Sequence, residues 1–243
     1  MSIITVCYNS EATIRRTIES VLGQTSSDFE YLAIDGASAD RTLSILQEYR
    51  HRFEKRGISY RIYSERDEGI YDAMDKGIAK SRGEIIGIVN SDDWYEPDAV
   101  DTVLRIKERD DFDICMCSMN LWHDGKKRVK IPRIRKFCTS RDFCHPSMFV
   151  TRKTYKRIGV YGRKFVYYGD FDFWLRAFRN SLDITVSGEI VTNYATGGIS
   201  NQKSAAGMAA RIWERCCAYR RNGYSRLYYM ESVLMETAKI LFV

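Results

Sequence analysis

Two carboxylates, Asp92 and Asp93, stand side by side in "IVNSDDWYEP", where an apolar run stops. Ile85, Ile86, Ile88 and Val89 read as a buried strand, so the chain leaves its core and at once presents two like charges. Two chemistries tolerate this. The pair can hold a cation, or one member can cap the helix that begins near Pro97, a residue suited to a first helical position. Mg²⁺ and Mn²⁺ prefer oxygen ligands and often sit between one or two carboxylates and substrate phosphates. Successive side chains on extended backbone point opposite ways, which lets Asp93 face a metal while Asp92 meets a ribose hydroxyl or a metal-bound water.

The elements that must position this pair alternate between strand and helix patterns. "IITVCY", "FEYLAI", "SYRIYS" and "EIIGIV" read as strands. Between them lie helical patterns in "SEATIRRTIESVLGQ", "RTLSILQEYRHRF" and "GIYDAMDKGIAKS", the first capped by Asn9 or Ser10 and ended by Gly23. Such alternation predicts an α/β fold with a mainly parallel sheet. Ligands of these sheets bind beyond the carboxyl ends of the strands. There the chain places "YNSE", "DGASADR", "ERDEG" and "NSDD", four polar clusters that predict one site. Past about residue 112 the alternation weakens to a strand in "FDICMCSMNLW", a helix in "FDFWLRAFRN" and a helical tail rich in Arg and Tyr.

Neither G-x-G-x-x-G nor G-x-x-x-x-G-K-[ST] follows the first strand, which argues against a dehydrogenase or a phosphate-loop hydrolase. Without a glycine cradle, a diphosphate is most simply held through a divalent metal on carboxylates. The 243 residues are 44% hydrophobic and 29% charged, a balance suited to a soluble globular chain with a sizeable core. No run of 18 apolar residues predicts a membrane-spanning helix, and "MSIITVCY" has no basic leader pattern. Seven cysteines without a C-x-x-C pair predict reduced thiols, hence a cytoplasmic protein. The net charge of +6 concentrates in Lys126 to Lys136, "KKRVKIPRIRK", with seven basic residues and no acid. That run fits an anionic partner or a strand with one solvated face.

"TVCYNSEATIRRTIESVLGQ", "YLAIDGASADRT", "ERDEGIYDAMDKGIAKSRGEIIGIVNSDDWYEPDAV" and "YYGDFDFWLR" together resemble the inverting family 2 nucleotide-sugar glycosyltransferases of the GT-A fold, of the non-processive bacterial type. The resemblance covers roughly residues 1–200. It implies a GT-A domain with a nucleotide-sugar-binding half (1–110) and an acceptor half (111–200), followed by a helical extension (201–243). It also implies a UDP-sugar or similar donor, a Mn²⁺ or Mg²⁺ cofactor, and transfer to an acceptor hydroxyl with inversion. By the same resemblance Thr5, Tyr8, Asn9 and Glu11 surround the base and ribose, and Asp35 contacts the base. Asp67 and Gly69 flank the donor loop. Asp72 and Lys76 lie near the ribose or diphosphate; alone, their spacing equally predicts an i,i+4 ion pair. Asp92 joins the donor set and Asp93 the metal. His145 in "CHPSMFV" lies on the acceptor side, and the glycines of "YATGGIS" lie near the diphosphate. Relatives often have Asn where this chain has Asp75.

Inversion needs a base for the acceptor proton, and the family places an Asp there, usually after Glu. Asp170 matches, with Gly169 in place of the Glu; Asp172 is the fallback, and a helix cap at Asp170 is the structural alternative. An unperturbed Asp titrates at about 3.9 and so is ionised at neutral pH.

No Q-x-x-R-W motif of processive synthases occurs, which predicts single-sugar addition, for example in cell-surface polysaccharide or glycan assembly, to a glycan or lipid-linked acceptor. The basic run and the Arg/Tyr-rich tail suggest peripheral contact with the inner face of a membrane, and the tail alternatively suggests a homodimer. Two other classes remain as alternatives. A nucleic-acid-binding protein would use the basic run, although the acidic clusters oppose phosphate. A sugar-nucleotide pyrophosphorylase would need a glycine-rich basic opening, which "CYNSEAT" lacks.

Overall fold

The computed structural model describes residues 1–135, 139, 142–196 and 205–241. Strands β1 (Ser2–Cys7), β2 (Glu30–Asp35), β3 (Ser59–Ser64) and β4 (Ile85–Ile88) are parallel and lie in the order β3-β2-β1-β4. All six residues of β1 are buried, as expected of a parallel strand covered on both faces. Cys7 sits opposite Asp35, and Asp35 opposite Ser64. The loops that follow these strands therefore open at one level.

Helices α1 (Ile14–Leu22), α2 (Thr42–Glu48), α3 (Arg50–Lys55) and α4 (Ile70–Lys80) make the crossovers. Helix α4 packs so closely on the sheet that a Cβ at Gly77 would lie 2.6 Å from Ile4 Cγ2. Three local expectations change. The patterned stretch after β2 is two short helices that meet at Tyr49, not one. Helix α1 begins after Thr13, without a side-chain cap from Asn9 or Ser10. Those two side chains are engaged with Ala39 and Ser91, and the Ser10 carbonyl takes the Thr13 and Ile14 N–H groups instead.

The third change concerns the acidic pair. A two-residue strand β5 (Trp94–Tyr95) follows it, and helix α5 (Ala99–Asp110) starts only after Asp98. Neither Asp92 nor Asp93 caps α5.

Beyond α5 the sheet is mixed, so "mainly parallel" holds for the first half alone. Strand β6 (Ile114–His123) turns back through Asp124 and Gly125, both at positive φ, into β7 (Lys126–Lys130). Strand β8 (Met148–Thr151) is antiparallel to β4 and β6, and β9 (Ile184–Ala195) runs parallel to β6 and pairs with β5. The first five residues of the basic run are thus an edge strand, with Lys126, Lys127 and Arg128 exposed, and Lys136 lies outside the described residues.

Helices α6 (Arg152–Ile158), α7 (Gly169–Arg179), α8 (Ala205–Arg221) and α9 (Leu227–Leu241) complete the described chain, among whose residues no helix is long and apolar enough to cross a membrane. Ala218 and Tyr219 of α8 join the core shared with α4 and α7. Glu214 accepts the backbone N–H groups of Val166 (2.9 Å), Tyr167 (2.8 Å) and Tyr168 (3.1 Å), the residues that lead into α7. Arg211 and Arg215, expected on a basic surface, are instead buried against Glu236 and Glu231. An enclosed guanidinium needs such partners to offset its lost hydration.

Candidate active site

At the ends of β1, β2 and β3 the loops build a narrow corner. Tyr8 is 63% exposed and presents a ring on which a planar base can stack. A Cβ at Gly36 would lie 2.5 Å from Asp67 Oδ2 and 3.2 Å from Tyr8 Cδ2, so glycine keeps this corner open. Asp67 is fixed by the N–H of Gly69 at 3.0 Å, and Gly69 has φ 115°, a backbone shape that favours glycine.

The other residues expected around the nucleotide hold the corner's walls. Thr5, expected beside the base, is fully enclosed and accepts the Tyr31 hydroxyl at 3.0 Å. Asn9 accepts the Ala39 N–H and Glu11 that of Arg41, tying the first loop to the second. Asp35 is also enclosed; it accepts the Ser38 and Ser64 hydroxyls at 2.5 and 2.6 Å. Asp72 and Lys76 do form the i,i+4 pair at 3.3 Å, but Asp72 is buried and also meets Arg163 at 2.8 Å. Burial alone would push the Asp72 carboxyl up; the Glu68 N–H with Lys76 and Arg163 holds it below the usual carboxylate value.

Asp75 clips α4 to the chain ahead of α7, accepting the N–H groups of Tyr161 (3.0 Å) and Gly162 (2.9 Å). Asp75→Ala is expected to lower stability by about 1–3 kcal/mol through the two unpaired donors. Asp75→Asn keeps one acceptor and should cost less. Burial raises the Asp75 carboxyl despite those two donors, so the folded chain binds that proton more tightly than the unfolded one. The wild type should therefore lose stability relative to Asp75→Asn as pH rises from about 4 to 7, measurable by denaturant melts at both ends.

Next to the corner lies a cavity of about 510 Å³, lined in part by Tyr71, Asn90, Lys130, His145, Asp170 and Tyr194. Asp93 is fully enclosed, its Oδ1 taking the Ala195 N–H at 2.9 Å. Burial first, then the neighbouring Asp92 charge, pushes the Asp93 carboxyl well above the usual range, and burial raises Asp92 as well. Beside them, among the described residues, the Asn90 Oδ1 is buried without a hydrogen-bond partner. Arg16, whose guanidinium donates to the Asp92 carbonyl at 2.7 Å, acts on both carboxyls without offsetting their burial, and the orphan oxygen with two carboxyls costly to ionise fits a hard divalent cation. Among the described residues no cluster of three or more His, Cys, Asp or Glu side chains completes a cage. Any further ligands would come from substrate and water.

Asp170, which also lines the cavity from the first turn of α7, accepts the Phe171 N–H (2.8 Å) and the Tyr71 hydroxyl (3.0 Å), both on Oδ1. Asp172 faces away, enclosed and held by Arg176 (3.0 Å) and Asn222 (2.9 Å), which removes the fallback. His145 opens a 3₁₀ turn, and its Nε2 lies 3.1 Å from the Tyr161 hydroxyl. Burial lowers its basicity, partly opposed by the Asp170 charge, so a neutral ring is favoured. Tyr194 lines the same cavity as Asp170, and its phenol is raised by burial first and then by the charges of Asp93, Asp92 and Asp170. Gly197 and Gly198 of "YATGGIS" lie outside the described residues.

Residues 2–159 match the family described as "Glycosyl transferase family 2". The chain belongs to that family. Over 209 residues this family 2 glycosyltransferase is 30% identical to the "PGL/p-HBAD biosynthesis glycosyltransferase" of Mycobacterium bovis (strain BCG / Pasteur 1173P2), covering 82% of this chain and 78% of that one. Its fold is similar to S. aureus TarS 1–349 in complex with UDP (TM-score 0.68, 16% identity, covering 98% of this chain and 70% of that chain). It is also similar to the mannosyltransferase PcManGT from Pyrobaculum calidifontis in complex with GDP-Man and Mn²⁺ (TM-score 0.67, 14% identity, covering 99% and 73%). The GT-A arrangement thus stands, and glycosyl transfer takes the place of the nucleic-acid and pyrophosphorylase alternatives. Sequence reasoning gave no role to Asn90, Tyr71 or Tyr194, although each lies inside a quoted motif ("NSDD", "ERDEGIYDAMDKG" and "YATGGIS").

Proposed function

We propose that this glycosyltransferase moves one sugar from a nucleoside-diphosphate sugar, with UDP as the first choice, to an acceptor hydroxyl with inversion. The observation that carries this reading is one cavity lined by both Asn90 of the acidic loop and Asp170. Tyr8 and Asp67 border the corner for the nucleoside. Asp93, with Asp92 and Asn90, would hold a Mn²⁺ or Mg²⁺ ion, which would supply positive charge to offset that of the leaving diphosphate. Asp170 takes the acceptor proton as the hydroxyl oxygen bonds to the anomeric carbon and the carbon–oxygen bond to the diphosphate breaks. His145, neutral and buried, offers a hydrogen bond without adding charge.

Met119, Leu121, Phe143 and Met235 give the cavity apolar walls, which suit a glycan ring face or a lipid-linked acceptor. The exposed Lys126, Lys127 and Arg128 beside exposed Val129 and Ile131 suit an anionic membrane surface, the inner face of the cell membrane being the natural one.

UDP, GDP and dTDP should be compared for thermal stabilisation with and without Mn²⁺. A nucleotide at one hundred times its dissociation constant adds about 2.7 kcal/mol. Metal-dependent stabilisation by UDP supports the reading; no response to any of the three would overturn it.

A further inference from the structure

We infer that Tyr71 is a positioning residue for the Asp170 carboxylate, seated in the space that a side chain at position 169 would otherwise fill. This rests on the reading of Asp170 as the base. Tyr71 lies in the first turn of α4, far in sequence from α7, and its ring is buried. Its hydroxyl donates to Asp170 Oδ1 at 3.0 Å, the same oxygen that takes the Phe171 N–H at 2.8 Å. Among the described residues Asp170 Oδ2 has no hydrogen bond, so two donors fix one oxygen and leave the other for a proton.

Gly169 is the second half of the device. A Cβ there would lie 2.8 Å from Tyr71 Cδ2 and 2.9 Å from Cε2, well inside van der Waals contact with the ring. The missing side chain before the base is therefore not a gap. The ring of Tyr71 fills it and brings a hydroxyl to the carboxylate. Tyr161 supports the ring from the side with centroids 5.9 Å apart, and its own hydroxyl is held by His145 and Tyr155, each at 3.1 Å. The result is a rigid aromatic wall behind a carboxylate that must meet its acceptor in one orientation.

A purely structural tyrosine would satisfy its buried hydroxyl equally well on a backbone carbonyl, and its loss would alter stability alone. A positioning tyrosine predicts more, because a hydrogen bond to a carboxylate favours the charged form. With Tyr71→Phe, kcat should fall by about tenfold to a hundredfold, the range for one hydrogen bond to a charged group, while KM for the donor holds. The acid limb of the pH–rate profile should move to higher pH. Gly169→Ala should lower kcat in the wild-type background, yet cost little more in Tyr71→Ala, where no ring remains to be displaced.

The readout is UDP release from UDP-N-acetylglucosamine, UDP-glucose or UDP-galactose, whichever is turned over, with UDP binding as the check on folding. Tyr71→Phe with wild-type kcat and an unmoved acid limb, beside an inactive Asp170→Asn, overturns this inference and leaves the base reading intact. Additive losses in the Gly169 and Tyr71 pair would overturn it too, and they keep the test decisive even if Tyr71→Phe fails to fold. An active Asp170→Asn overturns the base reading itself.

Discussion

Asp170→Asn is expected to slow sugar transfer by about two to four orders of magnitude, the range associated with a positioned general base. UDP binding should survive, because the nucleoside corner of Tyr8, Gly36 and Asp67 belongs to other loops. The amide can still take the Phe171 N–H and the Tyr71 hydroxyl on its oxygen, so the local backbone has no reason to move. What the variant loses is the ability to accept a proton. Asp172→Asn is the informative control, since that carboxylate is enclosed and pairs with Arg176 rather than the cavity. It should cost stability, up to about 3–5 kcal/mol as for a broken buried pair, with kcat per folded molecule nearly unchanged. An Asp170→Asn enzyme within tenfold of wild type, measured by UDP release under saturating donor, would sink the assignment.

For Asp93→Asn the two expected effects have opposite signs. In the metal-free protein the Asp93 carboxyl lies well above its usual range through burial and Asp92. A carboxyl raised in the folded state costs stability as pH climbs past its unfolded value of about 3.9, because the native chain must give up a proton it holds tightly. Removing the charge should leave the melting temperature at neutral pH unchanged or higher, with Asn still able to accept the Ala195 N–H. The metal-dependent gain from UDP, about 2.7 kcal/mol at one hundred times the dissociation constant, should vanish. The loop would then be a place where the free protein carries a cost that its ligand removes. A Mn²⁺-dependent UDP shift of wild-type size in Asp93→Asn would show that the metal sits elsewhere.

Strand and helix positions in the first half were readable because periodicity reports burial directly. "SYRIYS" is β3 to the residue, and "EIIGIV" contains β4. The capping alternative for Asp92 and Asp93 was not resolvable in the same way, since β5 is only two residues long and carries no period. Composition misled at Arg211 and Arg215: a basic, aromatic stretch looks like surface until Glu231 and Glu236 arrive from a later helix. Thr5, Asn9, Glu11 and Asp35 stand where expected along the chain, yet their side chains bond to neighbouring loops or strands. Only the paired partner, tens of residues away, tells a wall from a contact. The Tyr71–Asp170 bond is the extreme case, joining side chains 99 residues apart.

The grip of Glu214 on the backbone of Val166, Tyr167 and Tyr168 also bears on how the protein is made. Chains leave the ribosome from the amino end at about 5–20 residues per second, and early units can fold before late ones exist. The parallel half and its nucleoside corner come first. The segment that aims Asp170 is secured only after α8 has been synthesised and has docked. On the function proposed above, a nascent chain would be able to recognise a nucleotide before it can transfer a sugar, because the Asp170 segment waits for α8.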